Sequence, residues 1–244
     1  MKSIALLLRT WRGRVALAAI ASVAMLTARP LFSAEEAPRG VRGVDVSRYQ
    51  GTIDWSAVKD DGVHFAFIKA TEGGDLTDPT FARNWRNSKR AGVIRGAYHF
   101  YRPGTDAARQ ARHFLRTVKL SEGDLPPVLD VEVHGGLGST RLQRGVRTWL
   151  RIVEEETGKR PIVYTNPGFA RRLAGGDFRR HALWIAHYRS STPRVPSGWG
   201  KWTFWQYSER GRVDGIPRRV DINRFRGTLP HLRRFVEAQG RTHH

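Results

Sequence analysis

Asp130 and Glu132 are two acids set in an otherwise apolar stretch, residues 129–133 (LDVEV). On an extended strand, side chains two residues apart point to the same face, so the two carboxyl groups are expected side by side. Two acids in an apolar strand cost free energy unless they are paired or functional. Each negative charge raises the pKa of the neighbouring carboxyl, which keeps one of the two protonated near neutral pH. General acid catalysis at a glycosidic oxygen requires such a protonated carboxyl.

Further candidate residues lie at the ends of other predicted strands: Asp45 in GVDVS, Glu72 in KATEG, Tyr98 in GAYHF and Asp221 in VDIN. Catalytic groups of β/α barrels lie at the carboxyl ends of the strands, so one pocket can gather all of them. Taken singly, each has a structural alternative. Asp45 can cap a turn, Asp221 can bind local backbone amides, and Glu72 can pair with Lys69. Their recurrence at equivalent strand ends favours a functional site.

Aromatic residues crowd one region near the end of the chain: Trp199, Trp202, Phe204, Trp205 and Tyr207. Sugars present flat apolar faces, for which aromatic side chains offer large amphipathic surfaces. Phe204 is expected in the core. Trp205 and Tyr207 share one face of their strand and Gln206 lies on the other, so the strand alone does not show which face lines a pocket.

Other chemistries find less support. Asp130, Glu132 and His134 alternate and could ligate a metal, but the glycine pair at 135–136 indicates a loop, so the two-carboxylate interpretation is preferred. The sequence has no phosphate-binding glycine loop and no nucleophile elbow. Without cysteine there is no disulfide and no thiolate metal site. We predict no metal and no cofactor.

The elements that must position these residues alternate between strands and helices. Predicted strands cover residues 43–47, 64–70, 93–100, 127–133, 161–164, 182–187, 202–206 and 221–225. Predicted helices cover residues 55–60, 78–91, 105–118, 139–157 and 229–239. This β-α-β-α order predicts the α/β class with a parallel sheet or barrel, and the helices thin out after about residue 180.

The first 34 residues are basic and contain no acid, and residues 15–28 form an apolar run. This run has the length of a signal-peptide core and is short for a bilayer whose apolar region is ~30 Å thick. We therefore predict a signal peptide or an uncleaved N-terminal membrane anchor at 1–34, a linker at 35–41 and one catalytic domain at 42–240. The protein is expected to be exported to the periplasm or the extracellular space.

The net charge of the full chain is +20, of which the first 34 residues carry +5. The remaining excess favours an anionic surrounding, such as a wall polymer or a membrane surface. No recognisable nucleic-acid module is present, so no specific nucleic-acid partner is predicted. We expect a monomer.

Seven segments resemble glycoside hydrolase family 25, the Chalaropsis-type lysozymes, in the family's order: GVDVS at 43–47, QGTIDW at 50–55, FIKATEG at 67–73, GAYHFY at 96–101, PVLDVE at 127–132, WQY at 205–207 and VDIN at 220–223. Together they extend over residues 43–227, nearly all of the predicted catalytic domain. Any one segment is weakly specific, whereas the ordered set is strongly specific. The high positive charge and the lack of a recognisable wall-binding module depart from the commonest members of the family.

The resemblance implies an irregular TIM-like β/α barrel with about five βα units followed by additional strands. It implies hydrolysis of the β-1,4 bond between N-acetylmuramic acid and N-acetylglucosamine in peptidoglycan. Glu132 matches the general acid. Asp130 matches the acid that assists the substrate's N-acetyl group or stabilises the transition state, and Asp45 and Asp221 match supporting acids. The expected substrate-binding residues are Glu72, Tyr98, Tyr101, Tyr164, Trp205, Tyr207 and Asn223.

Two other classes of function remain open from the sequence. Strand acids and aromatic platforms also suit a glycosidase for another N-acetylated glycan such as chitin. A non-catalytic wall-binding or polyanion-binding protein would retain the same cleft.

Overall fold

Within residues 39–238, which the computed structural model describes, eight strands close into a barrel and a ninth short strand lies outside it. The strands are β1 (Val41–Val46), β2 (Phe65–Glu72), β3 (Leu76–Thr77), β4 (Ile94–Phe100), β5 (Val128–Asp130), β6 (Ile162–Thr165), β7 (Leu183–Ala186), β8 (Phe204–Gly211) and β9 (Val220–Phe225). The predicted leader, 1–34, and most of the predicted linker, 35–41, lie outside the described residues. Val41, which the prediction placed in the linker, begins β1.

Parallel pairing runs from β1 through β2, β4, β5, β6 and β7 to β8. Strand β9 is antiparallel to both β8 and β1 and closes the barrel between them. The short strand β3 forms a hairpin with the end of β2. The predicted barrel is therefore confirmed.

The helices are α1 (Trp55–Asp60), α2 (Phe81–Arg90), α3 (Ala107–Thr117), α4 (Ser139–Thr157), α5 (Pro167–Ala170) and α6 (Leu229–Ala238). Five βα units precede β7, and β7, β8 and β9 then follow one another without an intervening helix. No helix in the described range has both the length and the apolar character needed to cross a bilayer.

Local signals explain most helix ends. The Asp54 side chain accepts hydrogen bonds from two amides of the first turn of α1, and α4 ends at Gly158 with a φ of 65°. Asp78 was predicted to begin α2, but the helix begins at Phe81. The Asp78 carboxylate instead accepts hydrogen bonds from the backbone amides of Arg48 and Thr80. The sequence prediction missed β3 and α5, which have only two and four residues.

Side chains alternate between the barrel interior and the layer under the helices, apart from the register shifts in β2 and β8. The amino-terminal half of the interior is filled by large rings, such as Phe65, Phe67 and Phe204, and α6 covers that end. Gly43 leaves room for the Phe65 ring, since a Cβ there would lie 2.4 Å from it. The next inward positions of β1 and β5, towards the carboxyl end, are Asp45 and Asp130, so polar groups occupy that end only.

Candidate active site

A cleft of about 220 Å³ opens at the carboxyl-terminal end of the barrel. The structure brings six of the predicted site residues to its lining: Asp45, Tyr98, Asp130, Glu132, Tyr164 and Asp221. They come from five different strands or the loops that directly follow them. The predicted strand 127–133 is wrong at its end, because β5 stops at Asp130 and Glu132 lies in the loop beyond it.

The carboxylate of Asp45 is the most extensively hydrogen-bonded acid of the cleft. Its Oδ2 accepts hydrogen bonds from Asn223 Nδ2 at 2.7 Å and Gln206 Nε2 at 2.9 Å. Gln206 Nε2 also lies 3.4 Å from Asp221 Oδ2. Asn223 is fully buried, so its role in the structure is to hold Asp45; the predicted direct contact of Asn223 with substrate is not supported.

Three further donors orient the two amides. Trp184 Nε1 donates to Asn223 Oδ1 at 2.8 Å, while the hydroxyls of Tyr164 and Tyr188 donate to Gln206 Oε1 at 3.0 and 2.5 Å. Each amide oxygen is thereby occupied, so each NH₂ group must face the acids. Trp184, Tyr164 and Tyr188 thus fix the donors around Asp45.

Asp45 and Asp221 lie directly opposite each other in the β1–β9 pair, and Gln206 Nε2 lies within hydrogen-bond distance of both carboxyl groups. Burial and the charge of Asp45 raise the pKa of Asp221 to about 8. Burial also raises the pKa of Asp45, but the hydrogen bonds from Asn223 and Gln206 oppose the rise. The pair therefore holds a proton more tightly than an isolated carboxyl group does, and Asp221 is its favoured carrier near neutral pH.

Asp130 and Glu132 form the second pair of acids. Burial first, and the charge of Glu132 second, hold the pKa of Asp130 well above its ordinary range. Burial and the charge of Asp45 raise the pKa of Glu132, while Lys69 and Arg102 lower it. Asp130 Oδ1 is buried and has no hydrogen-bond partner among the described residues. The pair thus retains a proton at a pH that would ionise an isolated carboxyl, and Asp130 keeps one acceptor unused.

Glu72 is not part of the cleft lining. Its Oε2 lies 2.6 Å from Lys69 Nζ, and its Oε1 accepts hydrogen bonds from Arg102. The structural alternative, pairing with Lys69, is therefore the one observed. Glu72 holds Lys69, which lines the cleft and lowers the pKa values of the second acid pair.

Three aromatic residues predicted to bind substrate face away from the cleft. Tyr101 is 2% exposed and packs in the layer between barrel and helices beside Gly145 of α4. Trp205 and Tyr207 also face outward, and the Trp205 indole donates to the carbonyl of His187. The structure does not bring these three residues to the cleft. Gln206 faces inward instead, and so does Phe204, which was correctly expected in the core.

Several cleft residues were missed by the sequence analysis: Ser47, Tyr49, Gln50, Phe100, Trp184 and Gln206. Trp184 lies opposite Tyr164 in the β6–β7 pair, and Gln206 lies opposite Asn223 in the β8–β9 pair. Their inward direction follows from this pairing, which no single strand shows in its sequence. The structure does not support a metal site formed by Asp130, Glu132 and His134. His134 is exposed and accepts a hydrogen bond from the backbone amide of Gly136. Among the described residues, no group of acids and histidines has the geometry for a metal ion.

A β/α barrel with two carboxyl groups of raised pKa at the carboxyl end of one strand, beside a second pair of carboxyl groups, has the groups for acid-assisted glycosidic cleavage. The fold and the site together define the class of glycoside hydrolases.

Comparisons with known proteins identify the family. The family model "Glycosyl hydrolases family 25" matches residues 44–216, and the chain belongs to this family. It is 48% identical to Escherichia coli K12 YegX over 81% of this chain and 74% of that protein, and 39% identical to lysozyme M1 of Streptomyces globisporus over 79% and 70%. The solved lysozyme of Streptomyces coelicolor superposes with a TM-score of 0.78 at 37% identity, covering 82% of this chain and 99% of that one.

The raised pKa of Asp221 predicts a pH-dependent loss of stability. Because the folded protein holds this proton more tightly than the unfolded chain, the free energy of unfolding falls as pH rises from about 4 to about 8. Asp221→Asn cannot titrate there. Urea unfolding across this pH range should show the variant gaining stability relative to wild type as pH rises. Parallel curves for the two proteins, like those expected for exposed Asp214→Asn, would contradict the assignment.

Proposed function

We propose that this glycoside hydrolase is a muramidase, which hydrolyses the β-1,4 bond between N-acetylmuramic acid and N-acetylglucosamine in peptidoglycan. The observation that carries the proposal is the pair Asp130 and Glu132, adjacent in the cleft with raised pKa values. The similarity to proteins named lysozyme supports the choice of substrate.

Glu132 serves as the general acid. It is half-buried at the cleft, beyond the end of β5, where a glycosidic oxygen can reach it. Its raised pKa keeps the carboxyl protonated towards neutral pH, and it donates that proton to the leaving oxygen as the glycosidic bond breaks.

Asp130 acts on the sugar ring rather than on the leaving group. Asp130 lines the cleft with 6% of its surface exposed, and its carboxyl group can accept the N–H of a substrate N-acetyl group, which would orient that group towards the anomeric carbon. The Asp45–Asp221 pair adds negative charge near the oxocarbenium-like state.

Aromatic groups complete the cleft. Tyr98, Tyr164 and Trp184 line its interior, and Tyr49, with 60% of its side chain exposed, offers a platform at the rim. The alternatives are a chitinase-like glycosidase and a non-catalytic binding protein. Analysis of the reducing ends released from purified peptidoglycan separates all three functions. Muramic acid ends support the proposal, and glucosamine ends support the chitinase-like alternative. If no new ends appear, the non-catalytic alternative is supported.

Replacing Glu132 by Gln should lower the hydrolysis rate by ~10²–10⁴-fold, because the amide keeps the shape and loses the transferable proton. Turbidity clearing of peptidoglycan and thermal unfolding measure activity and fold in parallel. Exposed Glu122→Gln, the same change away from the cleft, should retain full activity. Near wild-type turnover by folded Glu132→Gln would disprove the assignment of the acid.

Replacing Asp130 by Asn should lower kcat and kcat/KM together and leave binding of glycan fragments nearly unchanged, since the lost interaction forms in the transition state. The last proton of the acid pair leaves against a neighbouring negative charge, which raises its pKa. Without that charge Glu132 loses its proton at lower pH, so the basic limb of the pH–rate profile should move to lower pH. Unchanged kcat and an unmoved limb would make Asp130 structural.

We also propose that residues 1–34 direct export, which a substrate in the cell wall requires. Fractionation of the protein, tagged at its carboxyl terminus, from its native host tests this proposal. Recovery outside the cytosol with a shortened N-terminus supports a signal peptide, and uncut recovery in the membrane fraction supports an anchor. Intact protein in the cytosol would refute both.

A further inference from the structure

A second concave surface lies at the amino-terminal end of the barrel, opposite the cleft. This pocket of about 840 Å³ is bounded by the segments that lead into β7 and β8, by the end of β9 and by α6. It is larger than the cleft, and none of the residues that line the cleft takes part in it. We refer to it as the basal pocket.

The basal pocket carries uncompensated positive charge. Within the described part of the chain, none of its lining residues is an aspartate or glutamate, and the exposed side chains of Lys201, Arg226 and Arg234 have no acidic partner. Like charges gathered without counter-charges repel one another. An anion bound among them would remove that repulsion.

A neighbouring groove on α4 differs in the charges that line it. That groove, of about 940 Å³, also contains several arginines, but acids lie among them. Glu154 binds both Arg160 and Arg180, and Glu155 binds Arg151 at 2.6 Å. Arg179 and Arg180 at the basal pocket have acidic partners too, Asp177 and Glu154, so the excess charge of the pocket is that of Lys201, Arg226 and Arg234.

An aromatic ring lies among these cations. Trp202 is half-buried in the pocket wall, and the guanidinium of Arg226 lies 5.9 Å from its ring centre. Guanidinium groups bind phosphate oxygens in paired hydrogen bonds, and an indole packs against the apolar face of a sugar. Phosphate-binding cations beside an aromatic surface match a ligand that carries both groups.

We propose that the basal pocket binds the phosphate groups of a phosphorylated glycan, and that it does so independently of hydrolysis in the cleft. The four carboxyl groups of the cleft repel such a polymer, whereas the opposite end attracts it. An anionic polymer therefore binds the face directed away from the cleft, which stays open to glycan strands.

Yeast phosphomannan, its dephosphorylated form and vesicles of phosphatidylglycerol serve as probes for the full-length protein at low ionic strength. Wild type should bind phosphomannan more tightly than either of the other two. The double variant Arg226→Gln/Arg234→Gln should bind it about tenfold more weakly. The matched control Arg86→Gln/Arg90→Gln removes two exposed cations of α2, with the same change in net charge, and should alter binding by less than about twofold.

Trp202→Ala tests the sugar contact: it should weaken binding of phosphomannan and leave binding of polyphosphate, which has no sugar, unchanged. Turnover of a soluble glycan fragment by each variant verifies its fold and should equal that of wild type. Equal weakening by both double variants would overturn the proposal in favour of a general charge effect. Preferential binding of the vesicles would overturn it in favour of a membrane surface, and an unaffected Trp202→Ala would remove the sugar from the recognised ligand.

Discussion

Mutual repulsion among four carboxyl groups at one end of the barrel is the constraint on which the surrounding structure depends. It is met in three physical ways. Asp45 accepts hydrogen bonds from two amide groups, Asp221 keeps a proton, and Lys69 supplies a positive charge beside the second pair. The amides face the acids only because Trp184 and two tyrosines occupy their oxygens. Much of the cleft wall therefore maintains the charge state of its acids.

The sequence was sufficient to predict that Asp45 and Asp130 meet, because the carboxyl ends of parallel strands converge on one edge of a barrel. Asp221 reaches the same edge differently, near the start of the antiparallel strand β9. The family resemblance implied the additional strands that follow the βα units, where the helical signal is weak.

The sequence alone did not show which side chains of each strand point into the barrel. On β8, Trp205 and Gln206 are adjacent, and the choice of which one enters the cleft depends on the pairing of β8 with both β7 and β9. The irregular register of β2 against β4 between Lys69 and Thr71 is likewise a property of two strands together. It places Glu72 beside Lys69 and Arg102. Glu72, which was predicted to bind substrate, therefore forms ion pairs with these two residues.

Closure of the barrel by β9 has a consequence for the order in which the enzyme is made. β9 carries Asp221 and Asn223, and Asn223 bonds to Asp45 across 178 positions of the chain. Until β9 has left the ribosome, β1 and β8 both present open edges and Asp45 lacks the Asn223 donor. Such distant pairing also forms late in folding. The complete site can therefore form only after the last strand has been synthesised. During most of its synthesis, the growing chain of this wall-degrading enzyme is inactive.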